Sequence, residues 1–180
     1  MIIQISPEIK AMHFQNFGSI VYLLQFPSQN ILIDTSSKEN EKELISSLYT
    51  LNLSPKNINT IILTHAHYDH TENINLFSNA KIYGNFTKQI NTDHTQTEIK
   101  NILPISSFES LNPNFKIHKT PGHTQGDIII QYKNILFSGD IIFHDGYIGR
   151  TDFPESNQQK MNQSLEFIKT LKFDILCPGH

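Results

Sequence analysis

Apolar residues in the first third of the chain either alternate with polar ones or run unbroken over short stretches, the pattern of strands. Residues 19–26 and 31–34 are two such stretches, and Pro27-Ser28-Gln29-Asn30 between them predicts the turn of a hairpin. Met1-Ile2-Ile3-Gln4-Ile5-Ser6-Pro7 alternates as a further short strand. The period then lengthens: Leu44, Ile45, Leu48 and Leu51 share one helical face, with Ser37 as N-cap and Pro55 closing the element. The β-branched run Ile58-Asn59-Thr60-Ile61-Ile62-Leu63 predicts a buried strand, and Ala80-Lys81-Ile82-Tyr83-Gly84 predicts another.

Residues 85–101 are polar and weakly periodic, which predicts a short helix and a surface loop with His94 in solvent. Strands return at 115–119, 127–132 and 135–138, the last two joined by a tight turn at Lys133-Asn134. A helix over 156–171 carries Met161, Leu165, Ile168 and Leu171 on one side, and a strand over 173–176 follows it. Two successive blocks of strands and helices without a linker predict one domain over residues 1–180, with two packed sheets flanked by helices. At 180 residues such a domain buries a core without structural metals, so a metal here would serve chemistry.

The strand at 58–63 runs straight into Thr64-His65-Ala66-His67-Tyr68-Asp69-His70. Two histidines at i and i+2 of extended chain can point to one side, and imidazole with carboxylate suits zinc and other borderline divalent metals. A solvated polar loop would account for any one of these histidines; four donors in six residues exceed what that explains, and exceed what one open ion takes from a single segment. Thr71-Glu72-Asn73-Ile74-Asn75-Leu76-Phe77 is placed to begin a helix that carries Asp69 and His70 toward a second ion.

Composition narrows the class. Charged residues are 17% of the chain, the formal charge is −3, and no Lys/Arg cluster stands out, so neither nucleic acid nor an anionic membrane is an expected partner. No basic segment precedes an apolar core at the N-terminus, and no apolar run approaches a membrane span. Cys177 is the single cysteine, so no intrachain disulfide forms and a reducing, cytoplasmic location is expected. It follows an apolar strand, which predicts a buried residue and not a reactive thiol.

Further donors sit at comparable strand ends, each after a glycine that lets the backbone turn beneath it: His123 in Thr120-Pro121-Gly122-His123-Thr124, Asp140 in Phe137-Ser138-Gly139-Asp140, and His180 in Pro178-Gly179-His180. Singly each is an ordinary turn; with the first cluster they complete a set large enough for two ions.

At this point the chain resembles the metallo-β-lactamase superfamily, whose HxHxDH pattern is matched by His65, His67, Asp69 and His70. Thr120-Pro121-Gly122-His123-Thr124, Phe137-Ser138-Gly139-Asp140 and Gly149-Arg150-Thr151-Asp152-Phe153-Pro154 make it most similar to the glyoxalase II group. The resemblance implies a four-layer αββα sandwich of two mixed sheets, with metals at one edge. Carried over by motif, it implies His65, His67 and His123 on one metal, Asp69, His70 and His180 on the other, and Asp140 between them. The implied cofactor is a pair of divalent ions, zinc first, with iron or manganese as alternatives. Two ions about 3.5 to 4 Å apart would bring a water to hydroxide near neutral pH, with Asp69 placed to orient it. The implied activity is hydrolysis of a small-molecule acyl thioester such as an S-acyl-glutathione. A mononuclear iron persulfide dioxygenase using His65, His123 and Asp140, a lactonase or β-lactamase, and a metal-binding protein without turnover are the competing readings.

The remaining polar residues carry smaller expectations. Tyr68 packs; Asp34 shapes a turn or supports a ligand; His118 lies on a sheet surface; His144 borders the site's mouth; Arg150 pairs with Asp152 or meets an anionic substrate group; and Glu72 narrows or charges the entrance. His180 ends the chain, which leaves the second ion dependent on a terminal residue with its α-carboxylate nearby.

Overall fold

The computed structural model describes residues 1–86 and 101–180; His94, with most of the loop expected at 85–101, lies outside them. Strands β1 (Ile2–Ser6), β2 (Ile9–Met12), β3 (Val21–Phe26) and β4 (Gln29–Ile33) form an antiparallel meander. Strands β5 (Thr60–Ile62), β6 (Lys81–Gly84) and β7 (Leu103–Pro104) extend it in parallel, giving a seven-stranded mixed sheet in sequential order. The second sheet holds β8 (Phe115–Lys119), β9 (Ile128–Tyr132), β10 (Ile135–Gly139) and β11 (Ile175–Pro178) in the order β11-β10-β9-β8, with β11 parallel to β10.

Alternation along the strands sorts the core into three layers. Tyr22, Leu24, Ile31, Ile33, Ile62, Ile128, Ile130, Ile135 and Phe137 meet between the sheets. Their neighbours Val21, Leu23, Leu32 and Ile61 point the other way, against Leu44 and Leu48 of helix α1 (Glu41–Thr50). Ile129 and Leu136 likewise turn outward to Met161 and Ile168. Those two residues belong to helix α4 (Gln158–Ile168), while α2 (Tyr68–Thr71) and α3 (Ile105–Leu111) are the shorter helices between. A period of two therefore builds sheet on sheet, with a helix on each outer face, which is the αββα sandwich.

Several elements differ from expectation. Ser37 does not cap α1: its hydroxyl donates to the carbonyl of Phe17, Asn40 stands at the cap, and a short turn at Lys38–Asn40 precedes the helix. The helix stops at Thr50, before Pro55, with Asn52 in the left-handed region at φ 57°. Asp69 and His70 do not precede a helix but lie inside the single turn of α2. Cys177 is buried in β11, and burial pushes its thiol up to about 12. No helix among the described residues is long and apolar enough to cross a membrane.

Candidate metal centre

The seven side chains singled out in the sequence come together where the chain leaves β5, β10 and β11. His65 and His67 occupy the extended segment after β5, and Asp69 and His70 follow in α2. His123 comes from the loop before β9, Asp140 from the end of β10, and His180 from the end of β11. Gly139 has φ +50°, and an added Cβ would lie 2.8 Å from the Thr64 side chain; at Gly179 it would lie 2.1 Å from Asp140 Oδ1. Both glycines let a donor approach its neighbours as no other residue would.

Hydrogen bonds on the outer sides of the rings settle which nitrogens face inward. The Thr64 hydroxyl donates to Asp34 Oδ2 at 2.8 Å, so it accepts from His65 Nδ1 at 3.0 Å. His70 Nδ1 donates to the same carboxylate oxygen at 2.8 Å, and His123 Nδ1 to the Arg150 carbonyl at 2.8 Å. His67 reverses the arrangement, its Nε2 donating to Glu155 Oε1 at 3.1 Å. Each neutral ring then has one lone pair left. His65 Nε2 lies 3.1 Å from His67 Nδ1, which lies 2.8 Å from His123 Nε2: three lone pairs directed at one another.

The second cluster has the same character. His70 Nε2 lies 3.2 Å from Asp140 Oδ1, and His180 Nε2 lies 3.2 Å from Asp69 Oδ2. Neither His70 Nε2 nor Asp140 Oδ1 makes a hydrogen bond among the described residues, although both are buried. Asp140 Oδ2 also comes within 3.6 Å of His123 Nε2 and 3.5 Å of His180 Nε2, so this carboxylate faces both clusters. Converging lone pairs and orphaned acceptors in a buried site are stable only around cations, and the donor set fits divalent metal ions.

Without a metal, protons take a cation's place in the second cluster only, at His70 and His180. Burial holds His65 well below the usual imidazole range, His67 at about 4 and His123 below its ordinary value. For His70 burial is outweighed by Asp140, Asp34 and Asp69, which hold it charged well above that range. Burial also works against ionisation of Asp140, but His70 and His180 keep it well below the usual carboxylate value.

His67, Asp69, His123, Asp140 and His180 line one side of an open cleft of about 390 Å³, with Phe17, Phe143, Ile148, Phe153, Arg150 and Tyr68 among the other walls. Tyr68 therefore faces the cleft as well as packing. Glu72 does not narrow the entrance: its carboxylate is turned away to accept from the backbone N–H of Lys38 at 2.7 Å. His144 is exposed and outside the cleft, whose mouth is bordered by Phe143 and Ile148 of the same loop. His118 is half buried, its ring centroid 5.1 Å from that of Phe167 near the end of α4. Arg150 and Asp152 form an exposed two-bond pair at 2.9 and 2.7 Å, and the guanidinium lies 4.5 Å over the Phe153 ring. Glu155 was not among the expected residues; its one sequence signal is a lone acidic residue just after the Gly149 to Pro154 motif.

An αββα sandwich with histidine and aspartate donors gathered at its strand ends defines a metal-dependent hydrolase. A profile of the Metallo-beta-lactamase superfamily matches residues 16–180, and the chain belongs to that superfamily. It is 37% identical over 152 residues to a probable metallo-hydrolase of Methanocaldococcus jannaschii, covering 83% of this chain and 70% of that one. It is 32% identical over 164 residues to the hydroxyacylglutathione hydrolase of Buchnera aphidicola, covering 89% of this chain and 61% of that protein's length. In fold it matches a metallo-β-lactamase family protein of Thermus thermophilus at a TM-score of 0.78 and 18% identity, over 98% of this chain and 74% of the other.

Proposed function

We propose that this chain hydrolyses small acyl thioesters of the S-acyl-glutathione kind at a two-metal centre. What carries the reading is the junction of seven donors with a cleft whose other walls are mostly apolar. Hydroxyacylglutathione hydrolases of Buchnera aphidicola and Vibrio vulnificus among its relatives support the choice of substrate class. His65, His67 and His123 would hold one ion, Asp69, His70 and His180 the other, with Asp140 between them. When bound, two divalent ions, zinc being best suited to these donors, supply Lewis acidity that activates water and polarises an acyl carbonyl.

The chain's own residues do the rest. Among the described residues no serine, cysteine or lysine lines the cleft, which supports water as the nucleophile. Asp69, on the wall of the cleft beside Asp140 and His180, would accept a proton from the attacking water and pass it to the departing sulfur. Phe17, Phe143, Ile148 and Phe153 give an acyl group apolar walls and exclude bulk water from one side of it. Arg150 stands at the rim for an anionic end of the thiol carrier, releasing an exposed partner whose pairing is worth little.

The test is metal content with a substrate panel: acyl thioesters, lactones, a phosphodiester and a β-lactam, run on wild-type and on Asp140→Ala. Two zinc ions with thioester turnover, and loss of both in the variant, are expected. One bound iron with oxygen consumption, metal binding without any turnover, or an Asp140→Ala protein that keeps two metals and full activity overturns the proposal.

A further inference from the structure

Two of the four ring-orienting hydrogen bonds are made to carboxylates, and they divide between the clusters: Asp34 stands behind His70 and Glu155 behind His67. The Glu155 and His67 side chains are each only 7% exposed, so this is a buried pair, 88 residues apart in sequence. A carboxylate acceptor at Nε2 holds the ring's one proton there and leaves the lone pair on the far side of the ring. That far side is where His67 Nδ1 meets the lone pairs of His65 and His123.

Glu155 is held there by the loop that also fixes His123. The Ser156 backbone N–H donates to the Phe153 carbonyl at 3.0 Å, closing a tight turn around Pro154 and Glu155. The Ser156 hydroxyl donates to the His123 carbonyl at 2.6 Å, and the Asn157 backbone N–H to the Gly122 carbonyl at 2.8 Å. Asn157 then caps α4, accepting from the Lys160 backbone N–H at 2.9 Å. One short segment thereby carries the carboxylate to His67 and braces the His123 backbone. The Phe153 ring stands against both imidazoles, at centroid distances of 5.5 and 5.7 Å.

We infer that Glu155 is a positioning residue for the first metal: it locks His67 in the Nε2–H tautomer and strengthens Nδ1 as a donor. The inference rests on the two-metal reading of the site. Without an acceptor at Nε2, His67 can place its proton on Nδ1, where it points at the metal position. A carboxylate acceptor also pushes electron density through the ring, as a neutral amide does only weakly.

The experiment compares wild-type, Glu155→Gln and Glu155→Leu by zinc competition titration against a chelator, and by 15N NMR of the imidazoles in the metal-free proteins. Wild-type binding of two zinc ions tests the site itself, and its failure would defeat the two-metal reading and not the role of Glu155. Given two sites, Glu155→Leu is expected to lose affinity at one of them by about 10- to 100-fold, the other being unchanged, and to shift the His67 proton away from Nε2. Glu155→Gln, whose amide oxygen still accepts from Nε2–H, is expected to keep the tautomer while losing about tenfold in affinity. Wild-type affinity in Glu155→Gln overturns the inference even if Glu155→Leu does not fold, as does an unchanged His67 spectrum in a folded Glu155→Leu.

Discussion

The ring of Phe17 lies flat on the ring of His180, with centroids 5.2 Å apart and planes inclined by 14°. His180 is the only one of the five clustered histidines whose second ring nitrogen has no hydrogen-bond partner among the described residues, so stacking takes over its orientation. Phe143 meets it edge-on at 6.1 Å. The Phe17 loop is itself fixed: the Phe17 carbonyl accepts from Ser37 and Asn40, the Ser19 N–H donates to the Asp69 carbonyl, and Ile20 N–H to the Gly179 carbonyl. Phe17 is 64% exposed, so Phe17→Ala should change stability by no more than about 0.5 kcal/mol. It should nevertheless weaken the second zinc site about tenfold, with Phe17→Trp restoring it. Zinc per chain after dialysis against a weak chelator decides; two ions retained in Phe17→Ala would show that stacking does not hold His180.

Asp34 makes a sharper case, because one carboxylate orders three donors. It accepts from the Thr64 N–H, the Thr64 hydroxyl and His70 Nδ1, each at 2.8 Å. Asn tolerates the left-handed backbone at this position, where φ is 58°. Its amide oxygen can still accept from the Thr64 N–H, but its NH₂ now faces the hydroxyl and His70. The hydroxyl turns its proton toward His65 and the amide donates to His70, so both rings present N–H to the metals. Asp34→Asn should fold, with a loss of about 1 to 3 kcal/mol, and bind both ions at least about tenfold more weakly. Imidazole 15N shifts check the reversal, and unchanged tautomers refute it.

Much of this centre was legible because its donors are carried by local chain grammar. A β-branched run ending in His65-Ala66-His67-Tyr68-Asp69-His70, and three glycines each followed by a donor, mark strand ends without reference to distant contacts. The unbroken apolar run Val21, Tyr22, Leu23 and Leu24 marks a strand buried on both faces, and local patterning of this kind marks the strands of both sheets except β2 and β7. What was not legible depends on partners far along the chain. Ser37 has the right chemistry for a cap, yet a carbonyl of the Phe17 loop takes its hydroxyl. Helix α3 is seven residues long with only Ile105 and Phe108 buried, too little for a helical period to show. Glu155 becomes meaningful only when the 153–156 turn is laid against His67.

Gly179 predicts a loss with a built-in control. A methyl group there would lie 2.1 Å from Asp140 Oδ1 and 2.9 Å from His70 Cε1, so Gly179→Ala must displace the carboxylate that faces both clusters. Both zinc ions and all turnover should be lost. At Gly146, with φ +79° and nothing within 4 Å of an added Cβ, Ala meets only backbone strain. Gly146→Ala should cost about 1 kcal/mol and leave metal content at wild-type level. Equal metal content in the two variants would refute the role given to the close approach at Gly179.

Removing the metals should expose a pH dependence with two limbs. Burial pushes His180 down, but its hydrogen bonds to Asp140 and Asp69 carry it up to about 9, and His70 is raised as well. A raised imidazole contributes stability that is complete below its unfolded value, about 6.5, and drains away as pH climbs toward 9. His67, depressed by burial to about 4, acts in the opposite direction, as do His65 and His123. The folded chain resists protons that the unfolded chain takes, so stability also falls as pH drops from about 6.5 toward 4. The metal-free protein should therefore be most stable near pH 6.5. Zinc replaces the protons on His70 and His180, so binding at pH 7.5 should release about two protons per chain and remove the alkaline limb. Melting curves from pH 5 to 9 with chelator and with zinc, and calorimetry in buffers of different ionisation enthalpy, measure both effects. An alkaline limb that persists with zinc, or binding without proton release, would show that His70 and His180 do not meet the metals.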